Sequence, residues 1–374
     1  MCLETQRKMN NIDIIAGARP NFMKIAPLIH AINDYNTLNP GGDLITYRLI
    51  HTGQHYDSAM SETFFQQLNI PTPHINLGAG SGTHAQQTAE IMTGYEKSLA
   101  KWKPELCVVV GDVNSTMACA IVAKKAWIKV AHIEGGIRSG DMKMPEEINR
   151  IVTDSISDYF FTTSETANQN LIKEGVSEDR IFFVGNTMID SLLTNLGRLK
   201  EPGIFSSASL VNREYIVITL HRPTNVDDPE RLRELLFTLH EYAEDKMMVF
   251  PMHPRTSRIH KNLNIHFPRM LITEPLPYLE FIYLIKNSAG IITDSGGITE
   301  EATVLGIPCM TLRDSTERPE TVTLGTNELV GTDPQVLPYW IHRMAWGNWK
   351  KGSIPPLWDG KTSERIVQIL CNLI

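Results

Sequence analysis

No stretch of about 18 or more uninterrupted apolar residues occurs in the chain, so a membrane-spanning helix is not expected. Cysteine is scarce. Cys2, Cys107, Cys119, Cys309 and Cys371 form an odd, scattered set without a C-x-x-C pair. That set gives no zinc pattern and fits a reducing cytosol, so no metal and a cytoplasmic location are expected. Positive charge is not in excess either. The 35 Lys plus Arg stand against 42 Asp plus Glu, a net charge of −7, which argues against a nucleic-acid partner. The opening residues MCLETQRKMNN lack an apolar segment and read as a short extension rather than a secretory signal. What is present is a chain of 374 residues, 42% hydrophobic: too apolar for disorder and too long for one ordinary core. Two domains in a soluble protein are expected.

Short apolar, β-branched runs alternate with segments of helical period along the whole length, from Ile12–Ala16 through Leu106–Val110 and Tyr215–Leu220 to Glu328–Val330. Several, such as the run Cys107 to Val110, are continuously apolar, as strands buried on both faces are. Strands alternating with helices predict parallel sheets joined by right-handed crossovers. The expected fold class is α/β, with two Rossmann-like domains and a cleft between them. The expected boundary lies near Gly185, giving domains 1–185 and 186–359. The periodicity of Ile366, Ile369, Leu370 and Leu373 predicts a helix over about 360–374 that packs back on the first domain. In such folds ligands meet the carboxyl ends of the strands.

The residues after each apolar run therefore carry the argument. The first run leads into Gly17-Ala18-Arg19-Pro20-Asn21-Phe22-Met23-Lys24, without the G-x-G-x-x-G of nicotinamide-binding proteins. Arg19 and Lys24 in early helical turns, where cations are disfavoured, suit an anionic ligand. Asp112 follows Val110, and Glu134 follows Ile133 ahead of two glycines, so both carboxylates belong to one sheet edge. Asp112 could instead cap the helix beginning near Asn114. Pro145-Glu146-Glu147 reads, on spacing alone, as an ordinary helix start. In the second half, His221 and His253 follow two apolar runs, a placement that suits proton or phosphate handling. Ser295, Gly296 and Gly297 join a buried run to a helix, letting backbone N–H groups surround a phosphate. Glu301, less than two turns into that helix, is expected to accept both hydroxyls of a ribose, and Arg318 follows the next run.

The strings GARPNFMKIAPL, TGQHYD, GDVNST, HIEGGIRSGD, PEEINR, HRPTNVD, FPMHPR, TDSGGITEEA and RDSTERPET together resemble the non-hydrolysing UDP-N-acetylglucosamine 2-epimerases, in order from about Gly17 to Thr321. The resemblance implies a fold like that of the GT-B glycosyltransferases, a homodimer, and no cofactor or metal. It implies reversible conversion of UDP-GlcNAc to UDP-ManNAc by elimination of UDP to a 2-acetamidoglucal and re-addition. It places the catalytic groups on Asp112, Glu134, Glu146 and His221, which replaces the structural reading of Glu146. Substrate contacts fall on Arg19, Lys24, Ser295, Gly296, Gly297, Glu301 and Arg318. The chain departs from the pattern of many members at Asn21, Thr224, Pro277 and the segment Pro73-His74-Ile75-Asn76-Leu77, where many carry an acid. Some members bind a second UDP-GlcNAc as an activator near several of these positions, and Gln54 and His253 match residues of that allosteric site. Alternatives are a related UDP-2-acetamido sugar as substrate, or a UDP-sugar glycosyltransferase of the same fold.

Overall fold

The computed structural model describes residues 9–53, 65, 67–263 and 265–374. The chain divides into two compact units, 1–191 with 356–374, and 192–355. The division falls inside the helix Thr187–Asn195, a few residues beyond the Gly185 expected from sequence. The first half of that helix belongs to the first unit, where the Ser191 hydroxyl donates to the Met23 carbonyl.

The first unit is built on seven parallel strands: β1 (Met9–Ala16), β2 (Leu44–His51), β3 (Ile75–Asn76), β4 (Leu106–Val110), β5 (Lys129–Ile133), β6 (Tyr159–Thr162) and β7 (Ile181–Phe183). They lie in the order β3-β2-β1-β4-β5-β6-β7. The two-residue strand β3, too short to show a period, was not expected from the sequence. All five residues of β4 are buried, as a strand covered on both faces requires. Its Val109 packs with Ala118, Cys119 and Ala123 of the helix Asn114–Lys125, whose small side chains permit close approach. A fully buried Val, Ile or Leu contributes about 1.5–3 kcal/mol.

The helix Thr362–Leu373 belongs to this unit and packs on the helix Arg19–Leu38. Asp190 accepts from the backbone N–H groups of Thr362 (3.1 Å) and Ser363 (2.7 Å), capping that helix from a distant part of the chain. Trp358, buried just before it, donates its indole N–H to the Thr163 carbonyl at 3.0 Å.

The second unit repeats the plan with β8 (Tyr215–Thr219), β9 (Met247–Pro251), β10 (Met270–Thr273), β11 (Gly290–Thr293), β12 (Cys309–Thr311) and β13 (Asn327–Leu329). Their order is β10-β9-β8-β11-β12-β13, all neighbours parallel. Ile218, Phe250, Ile292 and Met310 form its core with Leu236 and Ile341 from covering helices. In both sheets the winding reverses once, between β1 and β4 and between β8 and β11. At such a reversal two successive crossovers lead away from each other, leaving an opening at the strand ends.

Candidate functional site

In the first unit the loops after β1, β4 and β5 meet at that opening. Asn21 fixes the first: its side-chain oxygen accepts from the N–H groups of Gly17 (3.1 Å) and Ala18 (3.0 Å). Its amide donates to the Val110 carbonyl at 3.2 Å, tying the loop to the end of β4. Asn21 is therefore a buried loop fastener. One helical turn on, Lys24 extends over Gly111 and its Nζ lies 2.8 Å from Glu134 Oε2. Lys24 thus meets an anion of the protein itself. Arg19 begins the same helix.

Glu134 is buried, and its backbone is left-handed at φ +69°. That region is costly for a side chain of this kind, and such strain concentrates at functional positions. The turn continues through Gly136, at φ +79°, where a Cβ would stand 2.3 Å from the Ala167 carbonyl oxygen. Only glycine fits there.

Asp112 caps nothing: the helix after it starts at Asn114 with Val113 as its N-cap. Its Oδ2 instead accepts from Arg150 at 2.7 Å (Nη2) and 3.1 Å (Nε). Arg150 is itself buried and also holds Glu147 at 2.5 Å. Glu147 accepts from the N–H groups of Ser139 and Gly140 at 2.9–3.0 Å. Burial opposes its ionisation, but these donors hold its carboxyl below the usual range. The adjacent acids of the helix Pro145–Ile156 thus divide their tasks, Glu147 fastening a loop and Glu146 lying exposed.

In the second unit, adjacent strands β9, β8 and β11 end in His253, His221 and Asp294. Asp294 is fully buried and lies 2.8 Å from His221 Nδ1. It also accepts from the N–H groups of His221 (3.0 Å) and Arg222 (2.9 Å) and from the Asn225 amide (3.1 Å). Burial would raise its pKa, but His221, the Arg222 N–H and Asn225 outweigh it and hold the carboxyl ionised. A carboxylate at Nδ1 fixes the ring's tautomer and leaves Nε2 as the working nitrogen. His253 is exposed, and burial of its ring with the nearby His221 and Arg255 depresses its pKa. Gln54, its expected companion, lies outside the described residues.

The helix Gly296–Leu305 starts directly after Ser295, which is half-buried with its side chain making no cap. A Cβ on Gly297 would meet nothing within 4 Å, and one on Gly296 only Arg313 and Glu317 at 3.7 Å. The helix start therefore offers open backbone where an anion is favoured. Glu301, inside the same helix, is buried, and its Oε1 has no hydrogen-bond partner among the described residues. Burial pushes its pKa up to about 8, with Tyr278 opposing and Glu300 adding to the shift. Arg318 is buried and paired with Glu300, so it too meets a carboxylate of the protein. Glu320, beside it, is raised to about 7 by burial, against the pull of Arg318.

Sequence reading assigned no role to His132, Arg150, Asp154 and Asp294; Arg150 pairs with Asp112, Asp294 with His221, and His132 with Asp154. A signal existed for Arg150, one helical turn from Glu147, and for Asp294, the first polar residue after a buried strand. Among the described residues, no group of three or more His, Cys, Asp or Glu is arranged to hold a metal ion, and no helix is long and apolar enough to cross a membrane.

Two parallel α/β units of this winding define a GT-B-like fold, shared with solved structures of UDP-sugar enzymes. The sequence profile of the UDP-N-acetylglucosamine 2-epimerases matches residues 42–371, and the chain belongs to that family. It is 44% identical to the UDP-N-acetylglucosamine 2-epimerase of Methanocaldococcus jannaschii over 96% of this chain and 98% of that one. A crystal structure of UDP-GlcNAc 2-epimerase from that organism, in complex with UDP-GlcNAc and UDP, superposes with a TM-score of 0.85. The match covers 97% of this chain and 99% of that chain at 44% identity. The UDP-2,3-diacetamido-2,3-dideoxy-D-glucuronate 2-epimerase of Pseudomonas aeruginosa is 42% identical over 96% of this chain and 99% of its own length.

Proposed function

We propose that this epimerase interconverts UDP-GlcNAc and UDP-ManNAc without hydrolysis. The carrying observation is the set of three carboxylates in one unit, each in a different setting: Asp112 on Arg150, Glu134 on Lys24, and Glu146 exposed. Inversion at C2 needs acid/base groups for two faces of the ring, and a hydrogen there is not acidic until the anomeric bond weakens. In the proposed route the C1–O bond breaks with its electron pair leaving on UDP. The C2 proton passes to a protein base and a C1–C2 double bond forms. Re-addition of UDP, with a proton delivered to the opposite face of C2, completes the inversion.

Asp112, Glu134, Glu146 and His221 are assigned to the proton transfers. Ser295, Gly296 and Gly297 are assigned to the diphosphate, with Arg19, Lys24 and Arg318 lending positive charge. Glu301 is assigned to the ribose diol, which supplies the donors its open oxygen lacks in the free protein. Gln54 and His253 are assigned to a second, activating UDP-GlcNAc.

The same reading has the enzyme working as a homodimer in the cytoplasm and supplying cell-surface polysaccharide synthesis. Buried, unpaired Cys107, Cys119 and Cys309 suit a reducing compartment.

Incubation with UDP-GlcNAc in D₂O, followed by NMR, tests the proposal. UDP-ManNAc carrying deuterium at C2, formed with no acceptor present, is expected. Product without deuterium overturns the elimination route, and free ManNAc with UDP marks a hydrolytic enzyme. Turnover of a 2,3-diacetamido uronate in place of UDP-GlcNAc would move the substrate to that of the Pseudomonas relative.

A further inference from the structure

His132, in β5, lies two residues before Glu134. It is fully buried, and its Nε2 lies 2.8 Å from the Gly111 carbonyl oxygen. Its Nδ1 lies 2.6 Å from Asp154 Oδ1. Asp154 Oδ2 accepts from the Gly136 N–H at 3.0 Å and from Arg138 at 2.7 Å. Arg138 in turn grips Glu174 through two further bonds of 2.8 and 2.6 Å.

Both ring nitrogens lie against oxygen atoms, so the ring is held from two sides. Asp154 faces the ring as a carboxylate. Burial works against that carboxylate, but His132, Arg138 and the Gly136 N–H hold it ionised.

Three segments are joined through this pair. Gly111 precedes Asp112, Gly136 follows Glu134 by two residues, and Asp154 shares its helix with Glu146 and Arg150. Gly135 lets Asp154 come near, since a Cβ there would lie 3.3 Å from Asp154 Oδ1 and 3.1 Å from the Phe160 ring. An ion pair kept only for stability is often replaced by apolar packing without loss. This one ends on two backbone groups of the site loops, which apolar side chains would leave unpaired.

We propose that His132 and Asp154 are a positioning pair that sets the spacing of Asp112, Glu134 and Glu146. The proposal rests on the functional reading above. Neither residue touches substrate, so their loss disturbs proton transfer and leaves the nucleotide grip of the second unit intact.

The test uses full-length Asp154→Asn and His132→Gln enzymes. Rates are followed by NMR with UDP-GlcNAc and UDP binding by calorimetry. In a folded variant kcat falls about 100-fold, because small misplacements of reacting groups cost that much. KM and UDP affinity stay within about twofold of the parent. A kcat within about twofold of the parent overturns the proposal, as does a loss of UDP affinity that matches the loss of rate.

If neither variant folds, ¹⁵N-histidine NMR of the parent enzyme decides. A proton held on His132 Nδ1 in a hydrogen bond supports the pair, and an unprotonated Nδ1 overturns it. A parent enzyme that ignores UDP-GlcNAc refutes the substrate assignment alone, since the ring measurement needs no substrate.

Discussion

Lys24 Nζ lies 2.8 Å from Glu134 Oε2 and 3.1 Å from the point a Cβ on Gly111 would occupy. A cation from the first helix thus reaches a carboxylate after β5 by passing over a glycine at the end of β4. Gly111 is also left-handed, at φ +68°. Gly111→Ala is therefore expected to cost about 1–2 kcal/mol through backbone strain. It should also push Lys24 off Glu134. Denaturant unfolding measures the first effect and turnover of UDP-GlcNAc the second; unchanged turnover would show that the pairing does not matter to the reaction.

Glu134 itself carries a side chain at φ +69°. Glu134→Gly and Glu134→Ala remove the same carboxylate and the same bond to Lys24, but only glycine adopts that backbone freely. The glycine variant is expected to be more stable than the alanine variant by about 1 kcal/mol, with both inactive. Paired denaturation curves settle the comparison. An alanine variant of equal stability would mean that the turn has no strain to relieve.

Asp294 holds the His221 ring at Nδ1 and two backbone N–H groups besides. In Asp294→Asn one of these donors faces an amide instead, and the ring loses its fixed tautomer. A fall in kcat of about 100-fold or more is expected. Because the folded carboxyl titrates below its ordinary value, its contribution to stability is present above the normal carboxylate range. That contribution is lost as pH falls through the depressed value. Acid unfolding followed by circular dichroism should show this sensitivity in the parent and a shallower acid limb in the variant.

Glu301 has the opposite sign. Its folded pKa is raised to about 8, so between the ordinary carboxylate range and pH 8 the folded chain holds a proton that the unfolded chain has lost. Stability therefore falls as pH rises through that window, by up to about 1.4 kcal/mol per pH unit from this group. Glu301→Gln should flatten the slope and be more stable than the parent near pH 8. It should also weaken UDP binding. Thermal melts across the window, with and without UDP, test both, and an unchanged slope would show that Glu301 is not the group responsible.

Much of this architecture is legible in the order of residues. Continuous apolar runs such as the one from Cys107 to Val110 are self-evident as buried parallel strands, because hydrophobicity acts through local composition. The residues after those runs named the strand ends, since a polar side chain directly after a buried strand has few other places to go. Harder to see was the two-residue strand Ile75–Asn76, which has no period of its own and exists because β2 pairs with it. The residue at position 21 was legible only as a departure from a pattern. That Asn21 fastens Gly17, Ala18 and Val110 depends on the fold bringing together two residues, Asn21 and Val110, that lie 89 positions apart in the chain.

By itself, then, the sequence determined two α/β halves, the absence of a nicotinamide fingerprint and the candidate acids and bases. The halves, the missing fingerprint and candidates such as Asp112 and Glu134 follow from short-range patterns of apolar and polar residues, whereas Glu146 came only from the family resemblance. Only the tertiary structure decided what each charge is set against. Lys24 and Arg318, both expected to meet a ligand's phosphates, stand against Glu134 and Glu300, while Glu147 fastens a loop and Glu146 is left exposed. The reason is physical: a buried charge is set by its partners, and strand order, not chain order, chooses them.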